Sequence, residues 1–323
     1  MRAAHVPAPG RVRVDEFAVP STKQDGDLVV RMQWASVCGS DVHAVFHGFL
    51  RPEGVDKPGY PGHEGVGVVV ESRSSSYATG DLVLTVPVIG GCFAEYQLID
   101  DAHVVPLPTG VDPARLLMAQ QYGTTLFAMR LFWQGGETGT AAVLGAGSAG
   151  LFFVQQAKAL GFDNVVVSDL EPERLDVAGS LGASHTLHAP AESVVDAVGD
   201  LTAGIGADLV IEAAGYDALR ADAIAAVRVQ GTVGYFGFPE RRGMAEFPMF
   251  AAYRKSARIQ LASGTQAEPG LRAFRDALDH IRGGTVDVDY CLGTTFDLEH
   301  VPEALEVARD RGRGAIKLTI DLT

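Results

Sequence analysis

The sequence predicts an α/β protein built from a β-rich domain interrupted by a parallel α/β domain. Three observations carry this. Up to about Gln121, short β-type runs are separated by Gly and Pro; beyond it, short apolar runs alternate with helical patterns; from about Ser263 the character is mixed again. In order, residues 28–32, 65–70 and 81–84 read as strands of the β-rich part, joined by long loops. Residues 141–144 form a buried strand ahead of a helix at about 149–160, and 165–167 a second ahead of a helix at 172–181. Residues 207–213 and 232–236 are two more continuous apolar runs, as expected of strands covered on both faces of a parallel sheet. The tail offers helices at 270–282 and 302–309 and a closing strand at 316–320. The expected layout is 1–121 β-rich, 122–262 nucleotide-type α/β, and 263–323 returning to the first domain.

Composition excludes several classes. The chain has 323 residues, 47% of them hydrophobic, so it can bury a sizeable core and is too apolar to be disordered. A net charge of −14 argues against a nucleic-acid surface, which needs clustered Lys and Arg. Three scattered cysteines make no disulfide framework and point to a reducing compartment. The first residues carry no apolar signal core, and no run reaches the roughly 20 apolar residues of a membrane span, so a cytoplasmic protein is expected. The 38 glycines are the first positive clue, signalling tight turns or close backbone approaches.

Three of these glycines have a mechanism. Gly145-Ala146-Gly147-Ser148-Ala149-Gly150 is Gly-x-Gly-x-x-Gly, and it follows a predicted strand and opens a helix. Gly145 allows the turn, Gly147 lets a pyrophosphate approach the backbone, and Gly150 lets helix and strand pack closely. The N–H groups at Ser148 and Ala149 then face the phosphates with a partial positive charge. Asp169 ends the next strand, where a carboxylate accepts hydrogen bonds from the adenosine ribose hydroxyls and repels a 2′-phosphate. NAD is therefore expected over NADP.

The β-rich part holds Cys38-Gly39-Ser40-Asp41-Val42-His43 and Pro61-Gly62-His63-Glu64-Gly65. A thiolate and an imidazole suit zinc, though two ligands do not complete a site.

At these motifs the chain resembles the zinc-dependent medium-chain dehydrogenases, the alcohol and polyol dehydrogenase superfamily. Residues 38–43 with His47-Gly48 resemble the sorbitol dehydrogenase branch. Gly62-His63-Glu64 matches the family's Gly-His-Glu box, Gly80-Asp81-Leu82-Val83 its turn, and Phe93-Ala94-Glu95-Tyr96 the strand that follows. The resemblance implies a GroES-like catalytic domain with a Rossmann coenzyme domain. It implies Cys38 and His63 as catalytic zinc ligands, completed by Gln120 or Glu64, with Asp41 orienting the ligand histidine. Gln120 stands where relatives usually carry Cys, Asp or Glu. Ser40 and His43 resemble a proton relay, in which zinc acidifies the substrate hydroxyl and hydride passes to nicotinamide. Arg174 resembles a residue touching the adenosine ribose, Lys317 one reaching the pyrophosphate, and the backbone at Phe236 a strand end that meets the nicotinamide. The lobe that binds a structural zinc in many relatives is expected to be missing, because Cys92 stands alone; Cys92 and Cys291 then read as packed thiols.

The implied activity is NAD-dependent oxidation of a secondary alcohol, polyol or cyclitol by a homodimer or homotetramer carrying one zinc per subunit. Two other readings are a zinc-free quinone or enoyl reductase of the same superfamily, and a non-catalytic cofactor-binding paralogue. Ala44 follows His43 where polyol enzymes tend to carry an aromatic residue, so the substrate stays open among cyclitols, aminocyclitols, sugars and secondary alcohols.

Overall fold

Parallel and antiparallel pairing sort the strands into two sheets and a ribbon in the computed structural model, which describes residues 1–323. The elements run β1 (Arg2–Ala8), β2 (Arg11–Glu16), β3 (Asp27–Val37), α1 (Gly39–Phe46), β4 (Glu64–Ser72), β5 (Leu82–Thr85), β6 (Tyr96–Asp100), β7 (Val104–Pro106), α2 (Pro113–Leu117) and α3 (Ala119–Phe132). There follow β8 (Thr140–Leu144), α4 (Ser148–Ala159), β9 (Asn164–Asp169), α5 (Pro172–Ser180), β10 (His185–His188), α6 (Val194–Leu201), β11 (Ala207–Glu212), α7 (Asp217–Ala226), β12 (Val227–Tyr235), α8 (Met249–Lys255) and β13 (Arg258–Leu261). The chain ends with α9 (Arg272–Arg282), β14 (Thr294–Asp297), α10 (Val301–Arg309) and β15 (Leu318–Asp321). Two units result: Met1–Gly123 with Thr265–Thr323, and Thr124–Gly264. No helix is long and apolar enough to cross a membrane.

In the first unit the sheet order is β14-β15-β3-β4-β5-β7, with β6 also paired to β3. β3 is antiparallel to both β4 and β15. The end of β3 therefore lies beside the beginnings of β4 and β15, with Ser36 opposite both Glu64 and Thr319. That register brings three distant stretches of chain to one place. Its core holds Leu28, Val30, Met32 and Phe93, with Val301, Leu305 and Ile320 from the returning segment.

The second unit is a six-stranded parallel sheet in the order β10-β9-β8-β11-β12-β13. Every residue of β8 and β11 is buried, as strands covered on both faces require. The chain leaves β8 outward through β9 and β10, then returns to β11. The strand order reverses between β8 and β11, and at such a switch point ligands bind outside the strand C-termini. This is the Rossmann arrangement.

Candidate metal centre and coenzyme loop

Cys38 immediately follows β3, and His63 immediately precedes β4. The ligand atoms of Cys38, His63 and Glu64 all lie within 4.8 Å of one another. Asp41, on the first turn of α1 and 1% exposed, braces two of them. Its Oδ2 accepts the backbone N–H of Cys38 at 2.9 Å, and its Oδ1 lies 2.9 Å from His63 Nδ1. An ionised carboxylate only accepts, so Nδ1 keeps its proton and Nε2 is the nitrogen left for a metal once the ring is neutral. Burial pulls the His63 pKa down, but Asp41, aided by Cys38, outweighs it and holds the ring well above its ordinary value. Ser40 Oγ is 3.4 Å from His63 Nε2.

Glu64 is held from behind. Ser36 Oγ donates to its Oε2, and Lys317 Nζ forms an ion pair with the same oxygen at 2.6 Å. Burial pushes the Glu64 carboxyl up, but Lys317 first, then His63, hold it below its usual range. The resemblance implied that Lys317 reaches a pyrophosphate; here its side chain is 3% exposed and paired with Glu64. Gln120, 2% exposed, reaches the same segment, with Nε2 donating to the His63 carbonyl at 3.3 Å. His43 lies one turn beyond Gly39 on α1, its Nδ1 3.3 Å from that of His47.

The other two cysteines are buried thiols. Cys92 is fully buried against Thr85 and Gln97, and burial pushes its thiol up to about 12, as it does that of Cys291.

In the second unit the glycine loop has the shape a dinucleotide needs. Gly145 turns with φ +101°, and its N–H donates to Ser168 O at 2.8 Å. A Cβ on Gly150 would lie 1.9 Å from the Gly145 carbonyl oxygen, so only glycine lets α4 start this close. Gly147 is the opposite case: a Cβ there would meet nothing within 4 Å, leaving its backbone face open at the start of α4. Ser148 and Ala149 open the helix there. Asp169 ends β9, accepting the Ala146 N–H at 2.6 Å and the Glu171 N–H at 2.9 Å. It thus shapes the loop, with lone pairs to spare for further donors. Arg174 sits on the first turn of α5, half-buried.

Phe236 follows β12, its ring edge-on to Phe153 at 5.0 Å, and its N–H donates to Glu212 O. Glu212 was missed by sequence reasoning. Fully buried at the end of β11, it accepts the N–H groups of Ala214 and Gly215. Burial raises its pKa despite those bonds and nearby Arg220. Its carbonyl also takes Gly237 N–H, so it ties the loops after β11 and β12 together. Ser36 was missed for a plainer reason: its importance comes from the β3–β4 register, which no local signal reveals.

With this geometry in place, comparison with known proteins is specific. Residues 24–109 match the alcohol dehydrogenase GroES-like domain family, and residues 149–283 the zinc-binding dehydrogenase family. A sorbitol dehydrogenase of Bacillus subtilis is 24% identical over 350 residues, covering 99% of this chain and 97% of that protein. The alcohol dehydrogenase TADH from Thermus sp. ATN1 superposes with a TM-score of 0.85 at 26% identity, covering 99% of each chain. The NADP complex of a zinc-binding dehydrogenase from Sinorhizobium meliloti 1021 has the same fold, with a TM-score of 0.84 at 24% identity and 99% and 98% coverage. The chain belongs to the zinc-dependent medium-chain dehydrogenase superfamily. Its relatives include alcohol and polyol dehydrogenases, and it is an oxidoreductase.

Proposed function

We propose that the protein oxidises a secondary alcohol, polyol or cyclitol to a ketone, using NAD and one zinc ion. The observation that carries this is the thiol–imidazole–carboxylate cluster of Cys38, His63 and Glu64, braced by Asp41. Sulfur, nitrogen and oxygen donors of this kind suit zinc, and Gln120, whose amide bonds the His63 backbone, is the further oxygen donor that would join or replace Glu64. A bound zinc polarises the substrate hydroxyl, and a bound nicotinamide accepts the hydride.

The chain's own groups do the rest. Asp41 fixes the His63 tautomer and keeps its Nε2 available. Ser40 Oγ, beside that nitrogen, receives the hydroxyl proton, and His43 passes it toward solvent. An imidazole is suited to that step because it changes charge near neutral pH. The open backbone face at Gly147 and the N-terminus of α4 suit a pyrophosphate. Asp169, followed closely by Glu171 and Glu173, favours NAD over the NADP carried by the Sinorhizobium relative. The subunit is expected to assemble as a homodimer or homotetramer.

The test is NADH formation against a panel of polyols, cyclitols and secondary alcohols, with zinc counted on the same preparation. One zinc per subunit and alcohol-dependent NADH are expected. Cys38→Ala should lose the zinc and at least 1,000-fold in turnover while NADH still binds. A metal-free yet active enzyme would favour the quinone or enoyl reductase reading, which has no use for the cluster.

A further inference from the structure

His43 lies in the last turn of α1, and His47, four residues on, is the residue that caps it, its N–H bonded back to the His43 carbonyl. Their Nδ1 atoms are 3.3 Å apart, with the rings nearly perpendicular at 82°. Two nitrogens each bound to one zinc at about 2.0–2.1 Å with a tetrahedral angle stand about 3.3–3.4 Å apart. The pair therefore already has the bite of a chelate. The backbone fixes it: the His43 carbonyl accepts the N–H groups of both His47 and Phe49, at 3.1 and 3.2 Å. The Phe49 ring stands edge-on to His43 at 5.6 Å. His47 is exposed and His43 partly so, which gives a cation access and leaves room for water to complete its coordination.

We propose that His43 and His47 form a second metal site, for a borderline transition-metal cation such as Zn2+ or Cu2+, separate from the Cys38–His63–Glu64 cluster. In the metal-free pair one Nδ1 carries a proton and donates it to the other. The cation takes that proton's place and each Nδ1 gives a lone pair; the donor ring's proton is re-placed on its own Nε2 by exchange with solvent, so both rings bind as neutral imidazoles. Two paired histidines at i and i+4 are a known way to hold zinc. Only two protein ligands contribute, so the site is weaker than the cluster and fills only when the metal is in excess. One consequence rests on the proposed function: a cation on His43 Nδ1 removes that ring from proton transfer, so excess zinc inhibits.

The experiment is equilibrium dialysis of the zinc-loaded enzyme against rising ZnCl2, with bound metal counted by mass spectrometry. Wild type should bind one equivalent more than the His47→Gln variant, whose affinity for that ion should fall at least 10-fold. His47 is exposed, and circular dichroism checks that the variant folds. Cys38→Ala should lose the first ion and keep the second, so failure of the catalytic-zinc reading stays distinguishable from failure of this one. Equal stoichiometry and affinity in wild type and His47→Gln would overturn the proposal. Inhibition by excess zinc should be relieved in His47→Gln; inhibition of equal strength there would sever the link to His43.

Discussion

At the scale of single residues, Asp41 shows how one short side chain organises a site. The resemblance implies that it orients a histidine; in the structure its Oδ1 meets His63, and its Oδ2 takes the Cys38 N–H. The consequence is measurable. Asp41→Asn keeps the size but loses the charge that fixes the His63 tautomer, and outer partners of this kind are worth about 10–100-fold in metal affinity. The expected result is zinc retention weakened by that factor in competition with a chelator, with the fold intact by circular dichroism. Unchanged retention would reduce Asp41 to a turn residue. Cys38, His63 and Glu64 were readable because their chemistry is rare and their motif local. The Lys317–Glu64 pair was not legible, because the two are more than 250 residues apart and only the β3–β4 and β3–β15 pairings bring them together. Ser36 and Glu212 escaped notice for the same reason, since both are defined by tertiary contacts rather than by spacing.

At the scale of elements, the glycine loop separates two roles that look alike in sequence. Gly150 is required by packing, because an added Cβ would press on the Gly145 carbonyl. Gly147 has open space and an ordinary φ of −66°, so nothing in the fold demands it. Gly150→Ala should therefore lower stability, by about 1–3 kcal/mol as overpacking does, visible as a lower melting temperature. Gly147→Ala should cost less than about 1 kcal/mol in stability. It should nevertheless weaken NADH binding at least 10-fold, measured by fluorescence. Equal effects of the two variants on melting and binding would remove the distinction. The loop was legible because its three glycines stand at fixed spacing between a buried, largely apolar strand and a helix, a pattern that local sequence controls. Short elements such as α2 and β7 were not, for their residues carry too little periodicity to mark them. The closing strand was read as beginning at Ile316, whereas β15 begins at Leu318, because residues 316–317 approach the metal cluster instead of joining the ladder.

At the scale of the whole molecule, the surface of the second unit has a feature that a solitary subunit rarely shows. β13 is the last strand of its sheet and pairs only with β12. Leu261 on it is 68% exposed, and on adjacent α8 Met249, Phe250 and Tyr253 are 68–76% exposed. Of the α8 residues only Ala252 is buried. Beside them lies an open cavity of about 560 Å³ lined by Phe247, Met249, Tyr253 and Ile259. An apolar face next to an open strand edge invites pairing with another chain. A second copy is the occupant that fits, because a strand edge can pair antiparallel with its own two-fold mate and the flanking apolar side chains then bury one another. The acidity of the chain, −14 overall, sits elsewhere: α8 carries Arg254 and Lys255 and no acid. Like charge therefore does not dominate this face, although the two cations must lie at its rim. The expected outcome is that the protein sediments as a dimer or tetramer of its 34.1 kDa chain. Phe250→Glu with Tyr253→Glu would place two carboxylates where the partner's aromatic rings must dehydrate, and should raise the dissociation constant at least 100-fold. Both side chains are exposed in the single subunit, so its fold and its metal content should not change. Sedimentation of the wild type as a monomer at micromolar concentration, or of the double variant as the same assembly, would show that this face is not where the copies meet.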